Sequence, residues 1–157
     1  MSRVQLALNV SDLDEAIDFY TKLFGAGPAK VRPGYANFAI ADPPLKLVLI
    51  EDAGQVPGTL NHLGVEVATT GEVTAAQARL AGEGLVTSLE EQTSCCFAVQ
   101  DKVWVDGPGG EPWEVYTVLS DTEAPAGQLR SAEPGGSACC ATRPEAAGAV
   151  SGAGACC

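Results

Sequence analysis

Apolar and polar positions alternate from Val4 to Val10, with Val4, Leu6, Leu8 and Val10 on one face and Gln5, Ala7 and Asn9 on the other. That period predicts a strand with one oily face and one small, polar face. At Asp12 the period becomes helical: Leu13, Ala16, Ile17, Tyr20 and Phe24 form one stripe, and Gly25, Gly27 and Pro28 close it. Two further apolar runs, 35–41 and 45–51, are separated by Asp42-Pro43-Pro44 and predict two strands, with a weaker run over 28–32 as a third.

The second half repeats this order. Gln5-Leu-Ala-Leu-Asn-Val10 matches His62-Leu-Gly-Val-Glu-Val67 at an offset of 57 residues, so that Gln5 stands opposite His62. Asp12 with Glu15, and Thr69 with Glu72, have the spacing of a helix N-cap and its capping-box acid at the same offset. A helix over about 72–81 follows on Val73, Ala76 and Leu80, stopped by Gly82 and Gly84, and strands are expected near 85–89, 98–105 and 113–119. Asp106-Gly-Pro-Gly-Gly110 supplies the last hairpin turn. Aligning the closing strands on Pro44 and Pro112 sets Glu114 against Lys46.

After Ser120 the composition changes to Ala, Gly, Pro, Ser and Glu, with no aromatic residue. Such a segment buries too little to offset its ordering entropy, so 121–157 is expected to be a disordered tail behind one domain at 1–120. All six cysteines occur as adjacent pairs, Cys95-Cys96, Cys139-Cys140 and Cys156-Cys157. Neither a secreted disulfide framework nor a zinc ribbon is spaced in that way. Twenty acidic against nine basic side chains leave a formal charge of −11, which argues against nucleic acid and anionic membrane surfaces as partners. The opening residues lack the charged and apolar regions of a signal peptide and no apolar run reaches membrane-spanning length, so a cytoplasmic protein is expected.

A duplicated strand-helix-strands unit, with a ligand-type residue opening each first strand and a Gly/Pro turn before Pro-Trp-Glu-Val-Tyr116, resembles the vicinal oxygen chelate superfamily over about residues 3–119. The Asn61-His-Leu-Gly-Val-Glu66 and Thr93-Ser-Cys-Cys-Phe-Ala98 segments and the Cys-containing tail are similar to those of the organoarsenical carbon-arsenic lyases and their cadmium-induced relatives. The resemblance implies an α+β fold: two tandem βαβββ modules, about 1–57 and 58–120, forming an open mixed barrel around a metal site.

It also implies metal positions at Gln5, His62 and Glu114. The further position used by glyoxalases falls on Lys46, whose ammonium has no free lone pair. Imidazole, carboxylate and one more donor, with positions left open, suit Fe(II) and dioxygen as co-substrate. Gln5 offers only an amide oxygen, so weaker iron binding is expected. A lone histidine is most often structural, but its place opposite Gln5 on the polar strand face favours ligation. Tyr116, on the same face as Glu114, is placed beside the site, as packing or as a group that supports the ligands from behind.

Cys95 and Cys96 are assigned to the substrate. Adjacent strand residues point to opposite faces, so both thiols reach one target only where the backbone is irregular. Two soft thiolates can chelate a trivalent arsenic that keeps a carbon substituent. The expected activity is therefore Fe(II)-dependent cleavage of the carbon-arsenic bond of a trivalent organoarsenical by a monomer or homodimer, with Cys139, Cys140, Cys156 and Cys157 capturing substrate. The alternatives are non-catalytic binding of a thiophilic metal and a glyoxalase-like metalloenzyme.

Overall fold

The computed structural model of the protein describes residues 2–123. The order is β1 (Arg3–Val10), α1 (Leu13–Phe24), β2 (Lys30–Arg32), β3 (Tyr35–Ile40), β4 (Leu45–Glu51), β5 (Leu60–Glu66), α2 (Thr70–Gly82), β6 (Thr87–Cys95), β7 (Ala98–Asp106) and β8 (Pro112–Asp121). This is the expected pair of βαβββ modules, joined as one curled, open half-barrel of eight strands in the order β2-β3-β4-β1-β5-β8-β7-β6. Within each module the first and last strands run parallel, β1 with β4 and β5 with β8, and the modules meet where β1 and β5 pair antiparallel.

The helices begin where the capping residues stand. Asp12 accepts from the Glu15 amide, and Thr69 with Glu72 forms a reciprocal capping box, which satisfies N–H groups the first turn leaves bare. Gly25 ends α1 in the left-handed region at φ 66°, where a side chain would be strained.

Strand alternation divides the core. The oily face of β1 packs outward with Phe38, Leu47 and Leu49 under Leu13, Ala16, Ile17 and Tyr20 of α1. Val103 and Val115 pack against Val73 and Ala76 of α2 in the same way. The polar face of β1 turns inward and is the more buried one, with Gln5 4 %, Ala7 0 % and Asn9 2 % exposed. The curl of the sheet, rather than residue polarity, keeps water from that face.

Three elements differ from expectation. β5 starts two residues before His62, at Leu60. β8 runs through Asp121, one residue past the expected domain end at Ser120. β6 was expected to stop near Leu89 but runs to Cys95, through a register shift between Glu90 and Thr93 with Gln92 at φ 48°. It is an edge strand with a mostly exposed, polar sequence, so no apolar alternation marks it. Beyond residues 121–123, the expected tail, with Cys139, Cys140, Cys156 and Cys157, lies outside the described residues. Among the described residues no helix is long and apolar enough to cross a membrane.

The ladders also correct the alignment of Lys46 with Glu114. Gln5 pairs with Lys46 and Ala7 with Val48, whereas Gly64 pairs with Glu114. Gly64 stands opposite Ala7 in the repeat, so the ladder counterpart of Glu114 is Val48. A two-residue slip leaves the strand face unchanged, which is why the sequence pattern does not reveal it.

Candidate active site

Gln5 on β1, His62 on β5 and Glu114 on β8 come together on the inner face where the two modules join. Gln5 Nε2 lies 3.0 Å from His62 Nε2 and 2.9 Å from Glu114 Oε1, and the last two atoms are 3.5 Å apart. All three residues are at most 4 % exposed. The strands approach this closely because Gly64 lies between them: a Cβ there would stand 3.2 Å from Gln5 Cβ and from Glu114 Cγ.

Further groups hold the three in place. His62 Nδ1 lies 2.7 Å from Asn61 Oδ1. Lys102 on β7, 1 % exposed, donates to Glu114 Oε2 at 2.8 Å. Burial alone would push the Glu114 carboxyl up, but the Lys102 ammonium opposes it and holds the carboxyl below its usual range. Burial likewise works against the Lys102 ammonium, and the Glu114 carboxylate more than offsets it. The Tyr116 hydroxyl donates to Gln5 Oε1 at 2.6 Å and accepts from Lys46 Nζ at 3.0 Å. Tyr116 therefore touches Gln5 directly. Burial lowers the Lys46 pKa, and its ammonium is spent on Tyr116 and on Glu66 at 3.8 Å.

The donor set fits a small divalent ion. Cis donors about 2.1 Å from one octahedral ion stand about 3.0 Å apart, close to the spacings found here. Among the described residues no three side chains of the His, Cys, Asp and Glu types form a metal-binding group, so an ion held by His62 and Glu114 would need the Gln5 amide as its third protein donor. A half-turn of that amide exchanges Nε2 for Oε1 at the centre, and the Tyr116 hydroxyl can accept from the displaced Nε2. Lys102 occupies Glu114 Oε2 and leaves Oε1 as the single carboxylate donor.

The cysteines sit at the β6–β7 hairpin. Cys95 pairs with Ala98, so the turn is Cys96 and Phe97 alone, at φ 55° and 61°. This is the two-residue turn that follows strand twist, built without the usual glycine. It provides the irregular backbone the thiols need, and their sulfurs are 3.2 Å apart. A hydrogen bond from Cys96, helped by the Lys102 charge and opposed by burial, lowers the Cys95 thiol to about 7. The same bond, with burial, pushes Cys96 well up. Cys96 packs against the buried cluster of Ala7, Tyr35, Val48, Ile50 and Phe97, and Ala7 shares the inner face of β1 with Gln5. The turn is clasped on several sides. Phe97 packs on Tyr35 at 5.6 Å between centroids, and its carbonyl accepts from Thr122 N at 3.0 Å.

Sequence reasoning missed Lys102, Asn61, Asn9 and Trp104, whose ring meets the His62 ring edge-on at 5.6 Å. The signal for Lys102 was a cation two positions from Trp104 within one strand, which puts both on one buried face.

The family model for the glyoxalase/bleomycin resistance protein/dioxygenase superfamily matches residues 3–115, and the chain belongs to that superfamily. It is 60 % identical over 157 residues to a protein of Thermomonospora curvata named trivalent organoarsenical cleaving enzyme, covering 99 % of this chain and 100 % of that one. It is also 70 % identical over 123 residues to the cadmium-induced protein CadI of Mycobacterium tuberculosis, covering 78 % and 80 %. Among solved structures, the 2,3-dioxygenase LapB of Pseudomonas sp. KL28 superposes with a TM-score of 0.57 at 19 % identity, over 77 % of this chain and 42 % of that one. That likeness concerns the fold.

Proposed function

We propose that the protein cleaves the carbon-arsenic bond of trivalent organoarsenicals, with Fe(II) held by Gln5, His62 and Glu114 and the arsenic held by Cys95 and Cys96. The observation that carries this reading is one inner face that gathers imidazole, carboxylate and amide within 3.5 Å of one another beside two thiols 3.2 Å apart. The name of the Thermomonospora relative supports it.

Cys95, the more acidic thiol, attacks arsenic first as thiolate and displaces one arsenic-bound hydroxide. Cys96 then adds the second arsenic-sulfur bond, and its proton leaves with the displaced hydroxide as water. Arsenic stays trivalent and keeps its carbon substituent. Bound Fe(II) supplies the redox chemistry that activates dioxygen. Lys102 and Tyr116 hold Glu114 and Gln5 in position, and the tight hairpin presents the thiols on the same scaffold as the donors. Such proximity is worth about 7–11 kcal/mol in well-oriented cases. The balance closes without an external reductant: one methylarsenite and one dioxygen equal one arsenite and one formaldehyde, carbon losing the electrons that oxygen gains.

The test is anaerobic loading with Fe(II), addition of methylarsenite, then admission of air with arsenic speciation. Arsenite formed only when iron and oxygen are both present is the expected result. Methylarsenite recovered unchanged from the thiols would instead mean sequestration and overturn the reading.

A further inference from the structure

We infer that a directional chain of hydrogen bonds, from the Val56 carbonyl through Thr59, Asn9 and Asn61, holds His62 as the tautomer protonated on Nδ1, which makes Asn61 the positioning residue of the site. Each link follows from the one before. A backbone carbonyl only accepts, and the Thr59 hydroxyl lies 2.6 Å from Val56 O, so its proton is committed there. Its lone pair then accepts from Asn9 Nδ2 at 2.9 Å. Asn9 must therefore turn Oδ1 the other way, where Asn61 Nδ2 donates to it at 2.9 Å. That leaves Asn61 Oδ1 facing His62 Nδ1 at 2.7 Å. A carboxamide oxygen cannot donate, so the proton between them is on Nδ1 and the Nε2 lone pair points at Gln5 and Glu114.

A second chain, fixed at its other end by a donor, reaches the same result. The Lys46 ammonium donates to the Tyr116 oxygen, the Tyr116 hydroxyl donates to Gln5 Oε1, and Gln5 Nε2 is left to donate to His62 Nε2 at 3.0 Å. That nitrogen must then be bare. Asn9, Asn61 and His62 are 2–3 % exposed, so the inner links are closed off from solvent, whereas Val56 and Thr59 at the outer end are exposed. An imidazole ligates through a bare nitrogen, and the group on its other nitrogen sets which one that is. Asn61 neighbours His62 in sequence, but only the antiparallel pairing of β1 with β5 brings Asn9 to it.

The inference rests on the proposed metal site for its purpose, though not for its test. The protein contains one histidine, so 15N-histidine labelling of the full chain yields a single ring. In metal-free protein, at a pH well above the usual histidine value of about 6.5, long-range proton-nitrogen correlation should show Nδ1 protonated and Nε2 bare. Asn61→Asp keeps an oxygen acceptor and should keep that pattern. Asn61→Leu removes it; Gln5, no longer matched by a fixed Nδ1 proton, can then turn over so that its Oε1 accepts from Nε2–H, and the Nε2-protonated form should gain population, with Co(II) affinity, read anaerobically from its visible absorption, falling by about 10–100-fold. Asn9→Leu, which does not touch His62, should yield a mixture of tautomers, because Asn61 can then turn over. Protonation on Nε2 in the wild type would overturn the inference, and so would an unchanged tautomer in Asn61→Leu. If that variant fails to fold, the wild-type and Asn61→Asp spectra decide alone. Absence of Co(II) binding by wild type, together with the expected tautomer shifts, would sink the metal site and leave the chain of hydrogen bonds standing.

Discussion

His62 and Glu114 are the strong donors of the proposed centre, and Gln5 is the weak one. His62→Ala should leave less than a tenth of the wild-type iron content after anaerobic loading and desalting, whereas Gln5→His should tighten iron binding, as measured by competition with a chelator. Glu114→Gln strikes twice, since it removes a donor and strands the buried Lys102 ammonium. It should cost about 3–5 kcal/mol in denaturant unfolding, and adding Lys102→Met should recover most of that stability but no metal. The thiols make a separate prediction. With Cys95 lowered to about 7, alkylation of that residue should rise with pH through about 7, whereas Cys96→Ala, which removes the bond that stabilises the thiolate, should move the midpoint upward. Peptide mapping after iodoacetamide treatment measures both. At this scale the candidates Gln5, His62, Glu114 and the cysteine pair were named from the resemblance and from their residue types, and the fold brings the first three together. Lys102 was not among them, since a lysine in a strand reads as a solvated face until a carboxylate is known to lie 2.8 Å away.

Among the elements, β5 matters most to the site, for it lies between β1 and β8 and carries Gly64 where their inner side chains converge. Gly64→Ala would place a methyl group 3.2–3.3 Å from Gln5, Glu114 and Tyr116, all held by buried hydrogen bonds that leave them little room to yield. The expected outcome is a loss of about 1–3 kcal/mol in stability and weaker iron binding, although no donor is altered. Thermal unfolding and iron titration check it. The helices and inner strands were readable because one face of each is apolar and packed. β6 was not, because an edge strand with exposed side chains has no periodicity to read, and its shifted register hides even the alternation that remains.

Over the whole molecule, the curl of the sheet brings the β6–β7 turn against β3 and under the end of β8. Phe97 meets Tyr35, Ala98 pairs with Asp121, and Thr122 N reaches the Phe97 carbonyl. A chain ended after Glu123 should therefore keep its fold, its iron and its affinity for trivalent arsenicals. One ended after Ser120 should keep fold and iron but bind the arsenical more weakly, since the turn loses its clasp; tryptophan fluorescence titration of the two chains measures the difference. The amino-acid sequence by itself determined the element types, the duplication and the face on which each candidate residue lies, because these depend on local period and on capping chemistry. Only the tertiary structure decided which inner-face residues meet. Alternation with a period of two is unchanged by a slip of two residues, so Lys46 or Val48 could have answered to Glu114 until the β1–β4 and β5–β8 ladders set the register. Burial of Lys102, closure of the thiol turn and the Asn9–Asn61 contact likewise come from pairings between strands far apart in sequence, where packing over the whole sheet selects one arrangement that no local pattern encodes.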